Sequence, residues 1–353
     1  MNVIREVKSG RVGDRYYEVK HPSGLRIFVY PKEQNNSTYA VFGTRYGSVD
    51  TTFKRSDEAE ACTVPAGIAH YLEHKLFENE DCDAFALYAK TGADANAYTD
   101  FDKTCYLFSC SDHYQESLGI LLSFVQEPYF TQASVDKEQG IIGQEIRMIE
   151  DDPSWRVLFN LLKAMYHNHP VRIDIGGTVE SIAKIDADLL YRCYNTFYNL
   201  HNMVLVVAGN VKADEVLKIA DEKLKPCKDL SLETFFPEEP ADVVKHEVTD
   251  HAAVGLPLFQ VGFKSQPASG IDLVRAELEC YVAISVLADP ASPLYRSMLE
   301  EQLINSAFSF EVFTGDGYFA NLFGGESADP YTVRDRILAE IARCKREGLD
   351  RAH

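Results

Sequence analysis

Apolar and polar residues alternate at period two, rich in β-branched and aromatic side chains, through 15 to 31 and 37 to 45. Such runs predict strands, the first folding back on itself at Pro22-Ser23-Gly24. After a polar stretch the period becomes helical around 66 to 91. A second extended pair is predicted at Asp94 to Thr99 and Thr104 to Cys110, then helices near 113 to 126, 134 to 151, 155 to 166 and 187 to 199. Met203 to Val207 is an unbroken apolar run closed by Gly209-Asn210, which suits a buried strand, and 212 to 224 reads as a closing helix. Residues 1 to 225 are therefore expected to form one α+β unit.

From Pro226 to Pro240 the chain turns to prolines, acids and isolated aromatics, a composition that favours an extended linker, so the domain boundary is expected at 226 to 240. Residues 241 to 353 read as a weak repeat of the first part. Strands are predicted near 243 to 249 and 257 to 264, helices at 271 to 287 and 292 to 303, strands at 306 to 313 and 317 to 323, and a helix at 331 to 346. Ser306-Ala307-Phe308 takes a place comparable to Asn96-Ala97-Tyr98. The repeat would stop near the point equivalent to residue 137, so the second copy, ending at Asp350-Arg351-Ala352-His353, is expected to be truncated. The expected fold class is α+β, with two homologous α/β-sandwich-like repeats, each a mixed or antiparallel sheet carrying packed helices.

Composition narrows the function classes. With 353 residues, 46% of them hydrophobic, the chain can bury a substantial core. The 54 acidic against 35 basic residues, a formal charge of −19, argue against nucleic acid and membrane surfaces as partners. The N-terminal residues carry no apolar stretch of signal-peptide length, and no segment approaches a bilayer span, so a cytoplasmic address is expected. The eight cysteines (62, 82, 105, 110, 193, 227, 280 and 344) include no CxxC pair and read as reduced thiols that hold no metal.

The segment His70-Tyr71-Leu72-Glu73-His74 carries the chemistry. Residues four apart share a helix face, so His70 and His74 can aim two imidazoles at one point with Glu73 beside them. His70, Glu73, His74 and Phe77 form one side of the predicted helix, and Ile68, Leu72 and Leu76 the opposite, core-facing stripe. A catalytic zinc takes three protein ligands and keeps a fourth position open. Glu138 and Glu145 lie two turns apart on one face of a later predicted helix; either could ligate while the other orients a histidine from behind. Spacing does not choose between them. Glu73 would act as general base toward the attacking water of a peptide hydrolysis, with one zinc ion polarising the carbonyl.

Gly67 through Phe77 with its HxxEH pattern, then Gly92-Ala93-Asp94-Ala95-Asn96-Ala97-Tyr98-Thr99, Glu138 with Glu145, Asn168-His169-Pro170 and Gly176-Gly177-Thr178-Val179-Glu180-Ser181-Ile182, together resemble the inverzincins of the pitrilysin and insulinase family. Within it the likeness is greatest to bacterial two-repeat insulinase-like proteins associated with elongation factor P modification. The resemblance implies a zinc metalloendopeptidase with His70, His74 and Glu145 as ligands, Glu73 as base and Glu138 as a supporting acid. It also implies that extended peptide substrates add to a sheet edge at Asn96, Ala97 and Tyr98. Active members bring an Arg and a Tyr, seven residues apart, from a second repeat or a partner; here Leu299 and Ser306 stand at those positions. The chain is thus expected to be the zinc-bearing half of a heterodimer whose partner, of the same family, supplies that Arg and Tyr. The alternative is a catalytically weak or inactive binding or assembly subunit.

Overall fold

The computed structural model describes residues 3–80 and 83–349. Cys82 and the terminal segment from Asp350 lie outside the described residues. The chain begins with β1 (Val3–Lys8), β2 (Arg15–Lys20), β3 (Arg26–Pro31), β4 (Thr38–Thr44), β5 (Thr52–Arg55) and β6 (Cys62–Thr63). There follow α1 (Ile68–Leu76), α2 (Ala84–Thr91), β7 (Asp94–Thr99), β8 (Thr104–Cys110), α3 (Tyr114–Phe124), α4 (Gln132–Glu150) and α5 (Pro153–Met165). Next come α6 (Val179–Ile182), α7 (Ala187–Phe197), β9 (Met203–Gly209), α8 (Ala213–Lys223) and β10 (Leu232–Thr234). The last stretch holds β11 (Leu258–Lys264), α9 (Gly270–Ala288), α10 (Pro293–Glu300), β12 (Ser309–Gly315), β13 (Tyr318–Glu326) and α11 (Pro330–Glu347).

Two compact units divide the described residues, one drawn from 1–146 and 174–235, the other from 147–173 and from 236 onward. The first is built on a seven-stranded sheet of order β1-β2-β3-β9-β4-β8-β7, antiparallel except where β3 runs parallel to β9. Alternation places Val19, Ile27, Val29, Leu205, Val207, Ala40, Phe42, Tyr106 and Phe108 on one face, all fully buried in the main core. Among the described residues β7 pairs only with β8, so its outer side is a sheet edge. The second unit centres on an antiparallel sheet of order β11-β13-β12, with α9 packed on β12 and α5 on β11.

The helical patterns expected at 66 to 91 form α1 and α2, the second started by the Asp83 side chain, which accepts from the Phe85 N–H at 2.7 Å. Several expectations need correction. Phe77 leaves the histidine side of α1 for the core, where it stacks on Phe85 at 4.3 Å. The polar stretch after 45 holds β5 and β6, and β10, within the expected linker, pairs with β5. The strand expected at 243 to 249 does not form: Val244 and Val248 are exposed, and the Lys245 N–H donates to the Ala164 carbonyl rather than to a strand. Ser306 and Ala307 lie in a turn before β12, whereas Asn96 to Tyr98 lie inside β7.

Residues 147–173, expected in the first part, pack with the second unit. A Cβ on Gly262 would stand 2.5 Å from Met165 Sδ, so the side chains of α5 lie directly over this glycine of β11.

Candidate metal centre

Helix α1 starts at Gly67, which adopts φ 89°. A Cβ there would lie 2.3 Å from the Gly176 carbonyl oxygen, so the segment from Asp174 to Ser181 closes over the start of the helix only because position 67 is glycine. Ser181 Oγ fastens that segment by donating to Ala66 O at 2.8 Å. Ile68, Leu72 and Leu76 bury one side of α1, as the periodicity predicts.

On the other side His70 and His74 stand with ring centroids 4.6 Å apart. Helix α4 brings Glu145 between them: Oε1 lies 3.7 Å from His70 Nε2 and Oε2 3.4 Å from His74 Nε2. Ligand atoms of the three residues all lie within 4.8 Å of one another, and this is the group of metal-binding character found among the described residues. Atoms about 2 Å from a tetrahedral zinc stand about 3.3 Å apart, so the donor set fits that ion after small adjustments. Glu138 takes a different place. Its Oε1 lies 3.1 Å from His74 Nδ1, and a carboxylate can only accept, so Nδ1 carries a proton and Nε2 is the nitrogen whose lone pair a neutral ring would offer to a metal.

Electrostatics treat the two imidazoles differently: burial would lower His74, but the hydrogen bond to Glu138 and the charges of Glu73 and Glu145 outweigh it and raise it. Burial, with His74 adding to it, pushes the His70 imidazole down to about 4, which keeps it neutral with a lone pair to give. His70 Nδ1, on the side of the ring away from Glu145, is buried near Gly176 and has no hydrogen-bond partner among the described residues. The hydrogen bond from His74 holds the Glu138 carboxyl below its usual range. Glu73 is only 9% exposed; burial pushes its carboxyl upward, opposed by the Thr99 hydroxyl, which donates to Oε2 at 2.7 Å.

The structure thus gathers His70, Glu73, His74, Glu138 and Glu145 in one place. Asn96, Ala97 and Tyr98 lie on β7, which packs against α1 and ends at Thr99. Thr99 and Gly176 stand in the sequence motifs without an assigned role; a Cβ on Gly176 would lie 3.7 Å from His70 Nδ1, 106 residues away in the chain. Their only sequence signal is position within the Asn96 and Gly176 motifs.

Comparison with known proteins fits this geometry. Residues 62–179 match the family described as Insulinase (Peptidase family M16), and residues 184–353 match the Peptidase M16 inactive domain. An uncharacterised zinc protease of Bacillus subtilis, YmfH, is 40% identical over 346 residues, which is 97% of this chain and 81% of the relative. A second zinc protease of the same organism, YmxG, is 26% identical, covering 80% of this chain and 69% of the relative. The crystal structure of an M16-like peptidase from Alicyclobacillus acidocaldarius superposes with a TM-score of 0.91 at 37% identity, over 99% of this chain and 81% of that one. Pitrilysin shares the fold, with a TM-score of 0.75 at 16% identity over 98% of this chain and 38% of its own. Fold and site are those of a zinc-protease-like chain. It belongs to the insulinase family of peptidases, M16. The relatives' names carry no link to elongation factor P modification. No helix among the described residues is long and apolar enough to cross a membrane.

Proposed function

We propose that this chain is a zinc-dependent endopeptidase that hydrolyses short or unfolded peptides, bound as an added strand along β7, and that it acts in the cytoplasm as the zinc-bearing half of a heterodimer. The observation that carries this reading is the meeting of His70, His74 and Glu145 beside the buried carboxylate of Glu73. The chemistry a bound zinc supplies here is Lewis acidity toward the scissile carbonyl and the attacking water. Glu73 takes the proton from that water and returns it to the leaving amine; its raised carboxyl suits a group that must both accept and give. Glu138 keeps His74 in one tautomer. At the edge of the sheet, the outward main-chain groups of the segment Asn96, Ala97 and Tyr98 grip an extended peptide whatever its sequence.

Leu299 and Ser306, where family resemblance calls for Arg and Tyr, favour a partner that brings those side chains. The same positions, with the match of 184–353 to an inactive domain, favour a second reading, a binding or assembly subunit. Digestion of a peptide library by the zinc-loaded chain, alone and mixed with a family member bearing the Arg and Tyr, separates them. Cleavage is expected to rise on mixing. Glu73→Gln should keep its zinc and lose about 10²- to 10⁴-fold in rate. Full activity of the chain alone would sink the heterodimer, and no cleavage in any mixture would leave the binding subunit.

A further inference from the structure

We propose that Thr99 is a positioning residue for Glu73: its hydroxyl holds one carboxylate oxygen, Oε2, and so leaves Oε1 as the atom that takes and returns the proton. This deepens the endopeptidase reading and rests on it. A glutamate's last torsion is broad and nearly two-fold, so a free Glu73 would exchange its two oxygens and spend time with neither aimed at water. A single donor to one oxygen removes that freedom. Thr99 Oγ1 lies 2.7 Å from Oε2, and since a threonine hydroxyl has one proton and a carboxylate none, the direction of the bond is fixed.

Behind the hydroxyl lies Thr104, packed against it without donating to it. Thr99 pairs with Thr104 across β7 and β8, and Thr104, fully buried, sits with Oγ1 3.4 Å from Thr99 Oγ1. Thr104 commits its own proton to Tyr46 O at 2.8 Å, so it does not compete for Glu73. The base is therefore tied to the register of the sheet edge and not only to its own helix. Thr99 is the last residue of β7, directly after Asn96, Ala97 and Tyr98, so a peptide that adds to this strand orders the residue that aims the base.

Thr99→Val removes the hydroxyl at nearly constant shape, and Thr99→Ser keeps it without the methyl. In the full chain, with partner where turnover requires one, Val should lower kcat roughly 10- to 100-fold, as misaimed catalytic groups do. KM and zinc affinity should stay within about threefold, and Ser should recover kcat to about threefold. Independently of turnover, affinity for a peptide hydroxamate, whose acidic proton passes to a neighbouring carboxylate, should fall about tenfold in Val and return in Ser. Unchanged kcat and hydroxamate affinity in Val, or a Ser variant as poor as Val, overturns the assignment. If the unaltered chain cleaves no peptide in any mixture, the endopeptidase reading fails while the hydroxamate comparison still decides the role of Thr99.

Discussion

His74 stands between two carboxylates with different work. Glu145 approaches Nε2 and Glu138 approaches Nδ1, at 3.4 Å and 3.1 Å. Sequence spacing placed both acids on one helix face and no further, because the choice depends on where α4 lies beside α1, a distance no local pattern contains. The two histidines and Glu73 were legible, since three residues within one helical turn and a half determine their own geometry. Thr99 was not, being 26 positions from the carboxylate it binds and on another element. The division of labour predicts a graded response. Glu138→Ala, which removes only the acceptor for Nδ1, should weaken zinc binding about 10- to 100-fold by chelator competition. Glu145→Ala removes a donor atom and should weaken it by more than Glu138→Ala. Equal losses would mean that the two acids share one role.

At the scale of elements, periodicity found most strands and helices, including β7 and β8 to the residue, because each alternates regularly, β8 between buried and half-buried and β7 between half-buried and exposed positions. It failed where pairing decides, as at β5, β6 and β10. The start of α1, expected near 66 and found at Ile68, rests on Gly67. Gly67→Ala would set a Cβ in the left-handed region and against the Gly176 carbonyl, so it should cost roughly 1–3 kcal/mol in thermal or denaturant unfolding and weaken zinc binding with it. Gly140→Ala is the contrasting case. Nothing lies within 4 Å of a Cβ there, and the residue is inside α4, so the substitution should stabilise by about 0.5–1 kcal/mol. Loss of stability at both positions would point to a general fragility of these helices and away from a specific closure over α1.

At the scale of the whole molecule, the sequence predicted two successive parts, while the second unit reaches back to collect 147–173. Part of what holds that collection is a charge no pattern could reveal. Glu239, 10% exposed, accepts from the N–H groups of His167, Asn168 and His169 at 2.8, 2.7 and 2.8 Å. Lys264 Nζ, 7% exposed, meets Glu239 Oε1 at 2.7 Å and also donates to the carbonyls of Met165, Pro240 and Asp242. Burial alone would push the Glu239 carboxyl up; the ammonium and the three backbone donors outweigh it and bring it down from 4.5 to about 2. A carboxyl lowered by folding stabilises the folded state above its unfolded value, and that contribution drains away as pH falls from about 4.5 toward 2. The shift corresponds to about 3 kcal/mol at neutral pH. The single tryptophan, Trp155 in α5, lies in this unit, so its fluorescence reports the relevant unfolding. Urea titrations followed at Trp155 should lose stability between pH 5 and 3 more steeply for the unaltered chain than for Glu239→Gln. Lys264→Met, which leaves a buried carboxylate without its ammonium, should cost about 3–5 kcal/mol at pH 7 and much less at pH 3. Parallel pH slopes for the unaltered chain and Glu239→Gln would show that the carboxylate does not hold the collected segments together.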